Sequence, residues 1–245
     1  MWDNMLSLAL LNFGCMLLIG GNLYMLHILS FHPVTSFLGI GIAIVLLTLY
    51  IGVVSMIAGN IADFRSPELK RFFQYLKDVW KAALVFSLLL VLQTLIFLVV
   101  LPWYLNMGGL LGIFAMGLLF WGSVIWWLAS QYYFPVRSRL ETNVRKIPLK
   151  SVILLFDNTV FTLILAFGTL IMLVLSGLTA FLFPGIGSIL LWHQVGLKLR
   201  LYKYDYLEEH AGAGRKRIPW NTLLADDRER VGRRTLRGLI FPWKD

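Results

Sequence analysis

No lysine or arginine occurs in residues 1–64, 82–136 or 151–197, and residues 82–136 carry no charged side chain of either sign. A basic side chain at a bilayer centre costs roughly 2.5–3.5 kcal/mol on insertion scales. Basic-free stretches this long and this apolar fit a membrane and do not fit an ordinary globular surface, which carries about 25% charged residues. Cysteine is nearly absent too. The single Cys15 excludes an intramolecular disulfide framework and a cysteine metal cluster. No Walker A loop, HExxH, GxSxG or CxxC occurs. The four histidines, His27, His32, His193 and His210, are too scattered to converge on a haem or a metal. No basic segment precedes the first apolar run, so a signal peptide is not expected.

What is present is hydrophobic. Of the 245 residues, 58% are hydrophobic and 14% charged, and the net charge is +9. All 22 basic residues fall in 65–81, 137–150 and 198–245. The positive-inside rule places these clusters on the cytoplasmic side, facing anionic lipids, which accounts for the charge without nucleic acid. About 20 apolar residues cross a core of about 30 Å. Each basic-free stretch therefore holds a hairpin, with helices expected at 5–30, 36–61, 82–104, 108–134, 152–177 and 185–203. The expected fold is all-α and polytopic. It has six transmembrane helices as three hairpins within residues 1–203 and a cytoplasmic tail over 204–245. Both termini are expected inside, and the N-terminus, which offers only Asp3, is placed by counting helices.

Outer turns are expected at His32–Pro33, Pro102–Asn106 and Pro184–Gly187, each a proline followed by glycines. Lys77-x-x-x-Lys81 and Lys146-x-x-x-Lys150 lead into the second and third hairpins, a weak sign of a repeat. A separate interfacial helix is expected over 66–81. Ser66 would cap it, Pro67 would take its first position, and Glu68 would face the dipole. Leu69, Phe72, Phe73, Leu76 and Trp80 would form its apolar face. Phe72, Phe73 and Trp80, with Trp220 and Trp243 of the two Pro-Trp motifs in the tail, are the candidate partner-docking residues. The tail is expected to fold back, with Asp226, Asp227 and Glu229 meeting the basic residues of the 67–81 and 137–150 segments.

Asp157 is the one carboxylate close to a membrane helix interior. With Asn158, Thr162 and Gln93 it makes the candidate polar intramembrane site. A solute path along these residues and a purely structural, hydrogen-bonded role are both open. Asn12, Asn22, Asn60 and His193-Gln194 are expected to bridge helices. Glycines 108, 112, 117 and 122 would permit close helix approach. Trp121, Trp126, Trp127, Tyr132 and Tyr133 would form an interfacial belt and lipid-facing surface. No catalytic residue, cofactor or metal ligand is expected.

Three segments carry a resemblance. They are Phe72-Phe73-Gln74-Tyr75-Leu76-Lys77 through Trp80-Lys81, Tyr132-Tyr133-Phe134-Pro135-Val136, and Leu149-Lys150-Ser151 through Phe156-Asp157-Asn158-Thr159. Over about residues 60–205 the chain resembles the YesL-like family of small bacterial membrane proteins. The resemblance implies an accessory role beside carbohydrate importers of the ATP-binding-cassette type, with other integral membrane subunits as partners. It carries over no site. The expectation is thus a non-enzymatic accessory or scaffold subunit of an inner-membrane complex, with a small-solute or ion-coupled transporter as the alternative.

Overall fold

A computed structural model describes residues 4–210 and 218–231, and every described element is helical. The helices are α1 (Met5–Leu29), α2 (Pro33–Ala62), α3 (Phe72–Leu95), α4 (Leu101–Met107), α5 (Gly109–Ser130), α6 (Tyr133–Arg139), α7 (Lys146–Asp157), α8 (Thr159–Leu178), α9 (Gly185–Glu209), α10 (Trp220–Leu223) and α11 (Ala225–Val231). Five helical runs are long and apolar enough to cross a membrane: Met5–Leu29, Pro33–Ala62, Leu69–Met107, Gly109–Arg139 and Thr159–Leu178.

The separate interfacial helix over 66–81 does not form. Phe64 takes a positive φ of 58°, Arg65 N–H bonds back to Asn60 O, and residues 65–68 are irregular. Ser66 and Pro67 therefore lie outside the helix. A short 3-10 turn, Leu69–Arg71, opens α3, and helix then continues into the apolar segment. The reason is local: no proline or glycine occurs between Pro67 and Pro102, so nothing interrupts it. Pro102 itself sits in helix rather than in a turn. It has no N–H, and its ring crowds the carbonyl four residues back. The helix answers with a π turn over Ile96–Val100, where Leu101 N–H bonds to Ile96 O. The chain reverses only at Gly108 and Gly109, with φ of 63° and 69°.

The fourth and fifth expected helices are each broken. α5 ends at Ser130, and Pro135 falls in the first turn of α6, where its missing N–H leaves no bond unmade. Tyr132 and Tyr133 are consequently not a lipid-facing belt. Both are fully buried, with hydroxyls bonded to Thr162 (2.8 Å) and to the Ala82 carbonyl (2.9 Å). Trp121 and Trp127 do stay exposed. Asn158 ends α7, its side chain donating to Leu154 O (3.3 Å) and so competing with the helix. The three expected outer turns are built differently from one another, and Gly117 and Gly122 face open space rather than a neighbouring helix.

The chain forms two compact units, residues 1–197 and 198–245. In the first unit α2 packs along α3 and against α1 and α6, while α5 meets α7 and α8. The C-terminal half of α2 is closed, with Val53, Val54, Ile57 and Ala58 at 0% exposure. From Gly185 to Leu197 no residue of α9 is exposed. A helix buried on all sides is a central element. Its surroundings are α1 at Asn12, α2 at Ser55, α6 at Arg139 and α8 at Thr169. In the second unit Asp227 meets Lys198 (3.0 Å) and Tyr202 (3.2 Å), and Arg200 lies over the Trp220 ring. Asp227, one of the three acidic tail residues, thus has partners within its own unit, on the C-terminal part of α9.

Candidate functional site

The candidate polar site does not assemble as one group. Asn158 and Thr162 are buried and joined, Thr162 donating to Asn158 O (3.0 Å). Asp157 lies beside them, 3.5 Å from the Asn158 amide, but it is exposed and ends α7, before the apolar run of α8 begins. Gln93 is held elsewhere, donating to Ser123 (2.7 Å). That pair lies in an apolar cavity of about 320 Å³ between α3 and α5, lined also by Leu90, Phe97, Phe120 and Trp126. Of the docking candidates, Phe73 and Trp80 are exposed, whereas Phe72 packs between Tyr50 and Phe73. Trp220 is half-buried under Arg200, and Trp243 lies outside the described residues.

The densest polar cluster centres on Gln194 of α9, which is completely buried. Its Nε2 donates to Ser55 O (2.9 Å), Ser55 Oγ (3.0 Å) and Ser138 Oγ (2.9 Å). Its Oε1 accepts from Arg139 Nε (2.9 Å) and Ser138 Oγ (3.3 Å). Arg139 extends the cluster: its Nη1 donates to both carboxylate oxygens of Asp63 (2.9 and 3.1 Å) and its Nη2 to Gly59 O (3.3 Å). Hydrogen bonds between charged partners are stronger than neutral ones. Ser55, Gly59 and Asp63 recur every fourth residue, which places them on one face of α2. Gly59 packs directly under the amide: a Cβ there would lie in ordinary contact, 3.5 Å from it. The sequence reading placed a bridging role on His193-Gln194 but missed Arg139 and Asp63, which sit in basic and loop segments. The signal was the i, i+4, i+8 spacing of Ser55, Gly59 and Asp63.

Two further contacts tie α9 in place. His193 Nε2 meets Thr169 Oγ1 (2.9 Å). Asn12, 1% exposed, donates to Leu182 O and Pro184 O (2.9 Å each) and accepts from Gly187 N–H (2.8 Å). Thr48 and Ser87 bond directly across α2 and α3. Between α6 and α7, Lys150 donates to Glu141 (2.8 Å), and this holds the Glu141 carboxyl below the usual carboxylate range. Its contribution is present at neutral pH and is lost as pH falls through that lowered value.

Chemically, these groups satisfy one another. The arrangement locks helices, and among the described residues no three of His, Cys, Asp or Glu come together. Compared with protein-family models, curated proteins and solved structures, the chain matches none of them.

Removing Arg139 leaves both Asp63 and Gln194 short of a partner. Breaking a fully buried pair costs 3–5 kcal/mol. Arg139 and Asp63 are partly exposed, so Arg139→Met is expected to cost about 2 kcal/mol. Asp63→Asn combined with Arg139→Met should lose less than the sum of the singles, by about 1 kcal/mol, in thermal unfolding of the detergent-solubilised protein. Strict additivity would mean that the two residues do not act together.

Proposed function

We propose that this chain is a non-enzymatic accessory or scaffold subunit of a larger complex in the bacterial inner membrane. Its helices enter as three hairpins from the cytoplasmic side, both termini lie in the cytoplasm, and the cytoplasmic face meets the partner. The observation that carries this reading is how the polar groups of the apolar helices are used. Thr48 with Ser87, Gln93 with Ser123, Tyr132 with Thr162, His193 with Thr169, and Gln194 with Ser55 are all engaged between helices. Such bonds, worth about 0.6 kcal/mol each in membranes, hold a bundle together. A solute path needs polar groups turned to a lumen, and Asp157, the carboxylate that would couple an ion, stands at a helix junction beyond the α8 run.

The cytoplasmic side has what a docking face needs. Phe73 is 75% and Trp80 45% exposed, and Lys70, Lys77 and Lys81 share their segment. Exposed aromatics beside cations suit a protein partner or anionic headgroups. The resemblance to YesL-like proteins points to a carbohydrate importer of the ATP-binding-cassette type as the complex served.

The topology is tested with single cysteines. Those at Ser36 and Asn106 are expected to react with an impermeant thiol reagent added outside intact cells, and those at Gln74, Thr142 and Thr222 are not. External labelling at Thr142 would overturn the orientation. The function is tested by affinity purification in a mild detergent followed by mass spectrometry. Co-purification of importer subunits, lost on Phe73→Ala with Trp80→Ala, is the expected result. Recovery of the chain alone, with solute uptake by the purified protein in liposomes, would replace this reading by the transporter.

A further inference from the structure

We propose that α8 and α9 form a re-entrant hairpin, a half-crossing whose tip ends inside the bilayer, in place of two full crossings. This rests on the membrane reading given above and changes its third hairpin.

The tip's depth follows from Asn12. Its short side chain bonds Leu182 O, Pro184 O and Gly187 N–H, so the turn lies level with residue 12 of α1. α1 has 25 residues and rises about 37 Å, little more than a hydrocarbon core of about 30 Å. Asn12 stands about 10 Å from the Met5 end and about 26 Å from the Leu29 end, at 1.5 Å per residue. If α1 crosses, that level is hydrocarbon. Tyr50 gives a second marker on the same level, since its hydroxyl bonds Leu11 O (2.6 Å) and α2 continues from Tyr50 through 17 further residues to Pro33. The turn between α1 and α2 therefore stands well beyond the tip of the third hairpin.

The turn is made for such a place. Irregular backbone survives at membrane depth only where protein satisfies its polar groups. Phe181 N–H bonds Ser176 O (2.6 Å), Leu182 N–H bonds Thr179 O (3.1 Å), and Gly185 N–H bonds Ser176 Oγ (3.0 Å). Phe183 N–H is taken by Thr179 Oγ1 (3.4 Å), which donates in turn to Phe183 O. The outward side chains, Ala180, Phe181, Leu182 and Phe183, are all apolar and exposed. Gly185, at φ 62°, allows the approach, since a Cβ there would lie 2.4 Å from the Asn12 amide. An even number of passes is kept, so the tail stays on the side of the N-terminus.

The test is nitroxide accessibility. The full chain, with Cys15→Ala, is reconstituted in nanodiscs with one label at Ala180, Leu182 or Phe183, and for comparison at Ser36, Asn106 or Leu17, an exposed residue of α1 between the level of Asn12 and the Leu29 end. Power saturation is measured with oxygen and with a water-soluble nickel chelate. The three tip labels are expected to match Leu17, with oxygen favoured severalfold over nickel, while Ser36 and Asn106 favour nickel. Tip labels as open to nickel as Asn106 would overturn the half-crossing. Nickel preference at Leu17 as well would overturn the membrane reading itself.

Discussion

The side chain of Gln194 is bonded at both its oxygen and its nitrogen inside the first unit, and the position of α9 depends on it. Buried polar groups in an apolar bundle carry a strict condition: fully satisfied they specify one arrangement, and half-satisfied they cost 1–3 kcal/mol or more. Gln194 meets the condition through Ser55, Ser138 and Arg139, and Arg139 through Asp63 and Gly59. Three helices distant in sequence are thereby held in register. The apolar contacts around them, Leu165 against Gly196 and Trp192 against Gly168, gain their specificity from that register.

The same condition explains why α9 is the least hydrophobic of the long helices. Its first half, Gly185–Leu197, contains His193 and Gln194, both buried and bonded to protein groups. A helix facing lipid could not afford that composition. A helix wrapped by α1, α2, α6 and α8 can, because its partners are protein groups. α8, at its rim, shows the reverse: Val160, Phe167, Val174 and Leu178 are all more than 60% exposed.

The apolar helices were legible because lipid imposes one rule on every exposed position. α1 and α2 fall close to the 5–30 and 36–61 read from charge and hydropathy alone. Interruptions were harder to read. Ser66-Pro67 has the residues of a helix start, but the chain leaving α2 turns back on itself at Phe64 and keeps them irregular. Tyr132 and Tyr133 look amphipathic, and only the break before α6 turns them inward. Of the candidate site, Asn158 with Thr162 was legible as polar neighbours of Asp157 in an apolar segment, whereas the placement of Gln93 on Ser123 is a tertiary fact with no local signal. Asp157 stood out by rarity of charge, yet its exposure is set by the helix break after it.

The central claim is that α9 is the enclosed axis of the first unit and that Gln194 fixes it there. Amide hydrogen exchange on the full chain in nanodiscs tests it most directly, comparing the natural sequence with Gln194→Leu. The account predicts that Gly185–Leu197 exchanges most slowly of the described segments, and that the substitution speeds exchange there and in α6 together. Exchange in α9 as fast as in the exposed α5, or unchanged by the substitution, would contradict it.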